Sequence, residues 1–115
     1  MRRCGLKPTN KALTTLGLAR RAGKLTYGET SCREAISREH VALVILAADA
    51  GESVKRTFTR LCETKAIPIY TMQENKSVLG AAIGKEICSV VTVNNKGFAD
   101  SILASAEHHI GGGHI

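Results

Sequence analysis

Apolar positions along this chain switch repeatedly between helical spacing and short strand-like runs. Ala12, Leu13, Leu16 and Ala19 form a stripe at helical spacing, with Thr9 after Pro8 as the N-cap and Gly23 as the left-handed stop. Leu25 to Tyr27 reads as a short strand ended by Gly28, and Thr30 to Arg38 as a second helix with Cys32, Ala35 and Ile36 inward. Val41 to Ala47 is a continuous apolar run, the pattern of a central strand buried on both faces. Asp49 followed by Glu52 reads as a capping box opening a third helix, whose Val54, Phe58 and Leu61 face the core. Ile67 to Tyr70 is a third strand, and Pro68 marks it as an edge because proline cannot donate to a ladder. Asn75 caps a fourth helix reaching Gly84, Val90 to Val93 is a fourth strand, and Lys96-Gly97 leads into a last helix with Phe98, Ile102, Leu103 and Ala106 inward. The order α-β-α-β-α-β-α-β-α predicts an α/β fold, a three-layer α/β/α sandwich with Leu43, Ile45 and Val91 in central strands.

A length of 115 residues suits one compact core and leaves no room for two. A single domain over residues 1–110 is expected, with a loose tail at 111–115. Hydrophobic residues make up 43% of the chain, yet there is no Trp and only two Phe and two Tyr, so the core must be aliphatic. The same scarcity argues against a stacking platform for unpaired bases, which needs aromatic faces. The net charge of +6 is unevenly placed. Arg2, Arg3, Lys7, Lys11, Arg20, Arg21 and Lys24 occupy residues 1–28 without a single acid, whereas nine basic and ten acidic side chains occupy the rest. Such asymmetry points to a polyanionic partner, because neutralised phosphates release counterions. The alternative is a basic end that only aids solubility. Arg20, Arg21 and Lys24 also close the first helix, where cations answer the helix dipole. That accounts for one or two of the charges but not for the acid-free run back to Arg2.

Cys4, Cys32, Cys62 and Cys88 are spread almost evenly, without the local pairs that zinc sites use. Free buried thiols in a reducing compartment are therefore expected, and no metal site. His40 stands alone, and His108, His109 and His114 fall in a terminal segment suited only to adventitious metal. Met1-Arg2-Arg3 is followed by no apolar signal region, and Val41 to Ala48 is too short to span a bilayer. A cytoplasmic location is expected. The chain contains no G-x-S-x-G, no Walker loop and no G-x-G-x-x-G after a strand. Asp49, beyond the central strand, stands where α/β enzymes often place an acid, but a capping role explains it. No enzymatic activity and no cofactor are expected.

Leu16-Gly-Leu-Ala-Arg-Arg-Ala-Gly-Lys-Leu25, Gly28, Leu43-Val-Ile-Leu-Ala-Ala-Asp49, Cys62 with Ile67-Pro68, Leu79-Gly80-x-x-x-Gly84-Lys85 and Gly97-Phe98-Ala99 together resemble the ribosomal L-seven-Ae / L-thirty-e superfamily. The likeness is greatest to its small bacterial branch and covers about residues 10 to 106, in order. The resemblance implies a mixed four-stranded sheet between helices, and recognition of kink-turns, sharply bent RNA stems with tandem sheared G·A pairs. It also implies an RNA-reading loop. The family carries Gly-x-Asn-Glu-x-x-Lys where the second helix opens, and anchoring on Gly28 places Thr30, Ser31 and Glu34 at the Asn, Glu and Lys positions. Ser31 supplies no carboxylate for guanine donors, and Glu34 is negative where the family is positive. Arg33 lies one residue away and partly restores the charge, about 100° round the helix.

Two further family positions are carried over. Leu79-Gly80, with Lys76 before it, opens the fourth helix, where a missing side chain lets RNA approach and backbone N–H groups meet phosphate. The alternative for Gly80 is tight helix–sheet packing. Ile87-Cys88 matches the apolar loop laid against an extruded base, the alternative for Ile87 being a core residue at a strand start. The expectation is a non-catalytic, ribosome-associated RNA-binding protein that recognises kink-turn-like bent RNA. Its partners would be ribosomal or other structured RNA and ribosomal proteins, with no membrane and a monomeric state. The competing class is a ribosome or ribonucleoprotein assembly module that keeps the fold without base readout.

Overall fold

A computed structural model describes residues 9–38 and 40–110, with side chains described for 11–38 and 40–105. Pro8, Arg2, Arg3, Lys7, Cys4 and the expected tail at 111–115 lie outside the described residues, as do the side chains of Thr9, Ala106, His108 and His109. The elements are α1 (Thr9–Arg21), β1 (Leu25–Tyr27), α2 (Glu29–Arg38), β2 (Leu43–Leu46), α3 (Glu52–Lys65), β3 (Ile69–Thr71), α4 (Lys76–Ala82), β4 (Val90–Val93) and α5 (Lys96–Ile110). These are the five helices and four strands that the alternating periodicity predicts.

The sheet runs β1-β4-β2-β3 and is mixed. β4 pairs antiparallel with both β1 and β2, and β2 pairs parallel with β3. Because side chains alternate across a strand, each central strand feeds two cores. Leu43, Ile45, Val91 and Val93 pack with Leu16, Leu79, Ile83 and Ile102 from α1, α4 and α5. Val44, Leu46 and Val90 pack on the other face with Cys32, Ile36, Phe58 and Cys62 from α2 and α3. Helices on both faces make the three layers; the continuous apolar run of β2 follows from burial on both sides, and β4 is likewise buried throughout, the polar Thr92 included.

Local chemistry sets most boundaries. The ladder of β2 is shorter than its apolar run, but the flanks stay bonded: Ala42 N donates to Val93 O at 2.8 Å and Ala47 N to Ser89 O at 2.9 Å. β3 is an edge, as Pro68 predicts; Pro68 accepts from Val44 N at 3.0 Å and begins the pairing without needing a donor. Asn75 caps α4, its Oδ1 accepting from Val78 N at 3.0 Å. The capping box expected at Asp49 and Glu52 does not form. α3 is entered through Gly51 in extended conformation with no side-chain cap, and Asp49 is engaged elsewhere.

Candidate nucleic-acid interface

Strand pairing brings the C-terminal ends of β1, β2 and β3 to the same rim as the N-terminal end of β4, since Tyr27 faces Val91, and Leu46 faces both Val90 and Thr71. Four connections meet there, bonded to one another. Gly28 N donates to Val90 O (3.2 Å), Ala48 N to Glu74 O (2.8 Å) and Cys88 N to Lys76 O (3.1 Å). Asp49 Oδ1 accepts from Lys76 N at 2.8 Å, so the carboxylate that local spacing assigns to α3 closes the N-terminus of α4 instead.

Gly28 turns the chain from β1 into α2 at φ 90°, a left-handed conformation that glycine adopts without strain. Thr30 and Ser31 stand exposed in the first turn of α2, with Arg33 and Glu34 exposed in the second. Ile87, 62% exposed, projects from the connection on the far side of Gly28. Gly28, Thr30, Ser31, Lys76 and Ile87 thus share the rim.

Three candidate residues are corrected. Leu79 is 0% exposed and belongs to the α1/α4/α5 core, leaving no side chain for RNA. Gly80 is the packing alternative: a Cβ there would lie 2.9 Å from the backbone of Glu86 and Ile87, so the missing side chain admits the chain's own loop. Cys88 is buried with its thiol donating to Val90 O at 3.3 Å. Three of the N–H groups that open α4 are also engaged within the protein. Lys76 N is taken by Asp49, Val78 N by the Asn75 side chain, and Leu79 N by Asn75 O at 3.0 Å.

The basic cluster is divided. Lys24 precedes β1, its carbonyl accepting from Asn94 N at 2.8 Å, at the opposite end of the sheet from Gly28. The three residues of β1 separate the two, four steps of extended chain or roughly 13 Å. Arg21 is exposed at the end of α1. Arg20 turns away from both: its Nη1 donates to the Ile83 carbonyl at the C-cap of α4, and its guanidinium lies 5.3 Å from the Tyr27 ring centroid. Lys85 Nζ lies 4.9 Å from the same centroid. The Lys85 ammonium holds the Tyr27 hydroxyl below the ordinary phenol range, with Arg20 adding to the effect. Sequence reasoning passed over Tyr27 and Lys85. The only local signals are Gly84-Lys85 past α4 and one of two tyrosines beside Gly28.

The described thiols are not nucleophiles at neutral pH. Burial pushes Cys32 up to about 12 and Cys62 up to about 11, and raises Cys88 as well. Among the described residues, no three His, Cys, Asp or Glu side chains converge to hold a metal ion.

A mixed four-stranded sheet between two helical layers, with a rim carrying an exposed helix start, an apolar projection and a separate pair of cations, defines a surface-recognition protein of α/β/α type. The chain belongs to the ribosomal protein L7Ae/L30e/S12e/Gadd45 family, whose model matches residues 10–103. It is 37% identical over 89 residues to the RNA-binding protein YlxQ of Bacillus subtilis (strain 168), covering 77% of this chain and 88% of that one. It is likewise similar to a solved structure of a protein with unknown function from Bacillus halodurans C. There the identity is 37% and the TM-score 0.80, with 84% of this chain and 97% of that chain covered.

Proposed function

We propose that this chain is a non-catalytic, ribosome-associated RNA-binding protein whose reading surface is the rim built by Gly28, Thr30, Ser31, Arg33, Lys76 and Ile87. One observation carries the reading: the glycine turn opening α2 bonds to Val90 at the start of β4, and the connection leading into that strand presents the exposed apolar Ile87 at the same rim. An exposed apolar side chain beside hydroxyl donors suits an unstacked base, and specific RNA recognition relies on such unpaired elements. Family membership and the likeness to an RNA-binding protein support the same conclusion. The RNA is of kink-turn-like, bent type, bound through shape and phosphates more than base edges. Ser31 has no carboxylate for a sheared guanine, and Glu34 is exposed where a cation would assist. The protein acts as a monomer in the cytoplasm, with ribosomal proteins as neighbours; among the described residues no helix is long and apolar enough to cross a membrane.

A titration in fixed salt tests this with three RNAs: a standard kink-turn, the same RNA with its G·A pairs replaced, and a plain duplex. Both bulged RNAs are expected to bind more tightly than the duplex, and the first two to differ by less than about tenfold, 1.4 kcal/mol. Equal binding to all three would favour the assembly module that keeps the fold without RNA readout, a reading that Ser31 and Glu34 specifically support.

A further inference from the structure

We infer that Arg20, Lys85 and Tyr27 form a clamp for an RNA backbone phosphate on the β1 edge, next to the reading rim and separate from it. The inference rests on the RNA-binding reading and extends it to residues outside the α2 loop. Both cations lie within cation–π distance of one phenol ring, at 5.3 and 4.9 Å. Their positions are built, not incidental. Arg20 is held by its bond to the Ile83 carbonyl. Lys85 is held by its N–H on Gly80 O at 2.8 Å, just after Gly84 turns the chain at φ 80°. A side chain on Gly84 would be strained by that φ and would lie 3.0 Å from Arg20 Nη1, so the turn that presents Lys85 also leaves room for the guanidinium.

The two cations are not neutralised by the protein. Among the described residues the one ion pair is Lys96–Asp100, and neither Arg20 nor Lys85 has a carboxylate within salt-bridge distance, although Glu86 adjoins Lys85 in sequence. The bond to Ile83 explains Arg20 alone; it does not explain a second, unpaired cation on the same ring. Arg20 retains donors beyond Nη1, and Lys85 retains donors beyond the one that it turns to the Tyr27 hydroxyl. Such a convergence suits a tetrahedral oxyanion. Tyr27 immediately precedes Gly28, so the clamp adjoins the rim along the chain, its ring on the α1/α4/α5 face of the sheet. That continuity favours a phosphodiester over the carboxylates of an acidic peptide.

The test uses the full chain and Lys85→Gln, with Lys85→Arg as rescue. With ring-labelled tyrosine, inorganic pyrophosphate is expected to shift the Tyr27 resonance saturably, to leave Tyr70 unmoved, and to lose its effect in Lys85→Gln. RNA affinity measured against salt is expected to fall roughly five- to tenfold in Lys85→Gln at low salt. The slope should flatten by about 0.7–0.9, one phosphate contact, with Lys85→Arg restoring it. RNA binding with an unchanged slope in Lys85→Gln would sink the clamp while sparing the rim. Saturable pyrophosphate binding in a protein that binds no RNA would overturn the RNA reading and with it the partner assigned here. An acidic peptide moving Tyr27 at lower concentration than pyrophosphate would overturn the phosphate assignment in favour of a protein partner.

Discussion

Asp49 and Gly80 show how a single residue's role depends on what the fold brings beside it. Local spacing pairs Asp49 with Glu52, but its carboxylate accepts from Lys76 N, 27 positions along the chain. α3 instead starts from Gly51 with no side-chain cap. Asp49→Ala is therefore expected to cost about 1 kcal/mol, the usual value of a lost cap, whereas Glu52→Gln leaves the denaturant midpoint nearly unchanged. Equal losses in the two variants would restore the capping box. Gly80 is constrained by contact and not by conformation, since a Cβ there would meet the backbone of Glu86 and Ile87 at 2.9 Å. Gly80→Ala should cost roughly 1–3 kcal/mol, the range for overpacking, and should displace Ile87. Chemical unfolding together with the amide shift of Ile87 checks both expectations.

At the scale of the element, α2 carries the departure from its family's reading pattern. The helix forms where the periodicity predicts, with Cys32, Ala35 and Ile36 inward and Thr30, Ser31, Arg33 and Glu34 exposed. The face aimed at solvent is thus legible from spacing, and what that face can recognise follows from its side chains. Ser31→Glu combined with Glu34→Lys supplies the missing carboxylate and reverses an unfavourable charge. The pair is expected to tighten kink-turn binding at least tenfold, about 1.4 kcal/mol, and to tighten plain-duplex binding less. Equal gains on both RNAs, titrated in the same salt, would mean that only the charge had changed. The basic end of α1 was legible as charge but not as geometry. Arg20 is drawn to the C-cap of α4, and Lys24 stands beyond the far end of β1, so the three cations do not act as one patch.

For the molecule as a whole, the aliphatic two-sided core has a consequence for its behaviour with pH. Burial raises the Cys32 thiol from its ordinary 9.0 to about 12 and the Cys62 thiol to about 11. Between those values the unfolded chain has released the thiol protons while the folded chain retains them. The stability these buried thiols contribute is therefore intact below pH 9 and is lost as pH rises through about 11 to 12. Replacing both by Ala should give a protein less stable at neutral pH from lost packing, but with a shallower loss of stability between pH 9 and 11. Denaturant midpoints across that window measure it, and parallel curves for the two proteins would refute the coupling.

The sequence by itself determined the order and type of the nine elements, the two-sided burial of β2, the central place of Val91, the edge position of β3 and the exposed face of α2. These are local properties: hydrophobic period reports which side of an element meets water, and Pro68 or Asn75 acts on backbone groups within a few residues. Tertiary structure alone decided the strand order, the partner of Asp49, the loop packed against Gly80 and the meeting of Arg20, Tyr27 and Lys85. Each joins residues far apart in the chain, and periodicity along one element carries no information about which distant segment will close against it. The proposed rim residues follow from the family resemblance anchored on Gly28, whereas the cation pair around Tyr27 exists only once α1, β1 and the end of α4 have packed together.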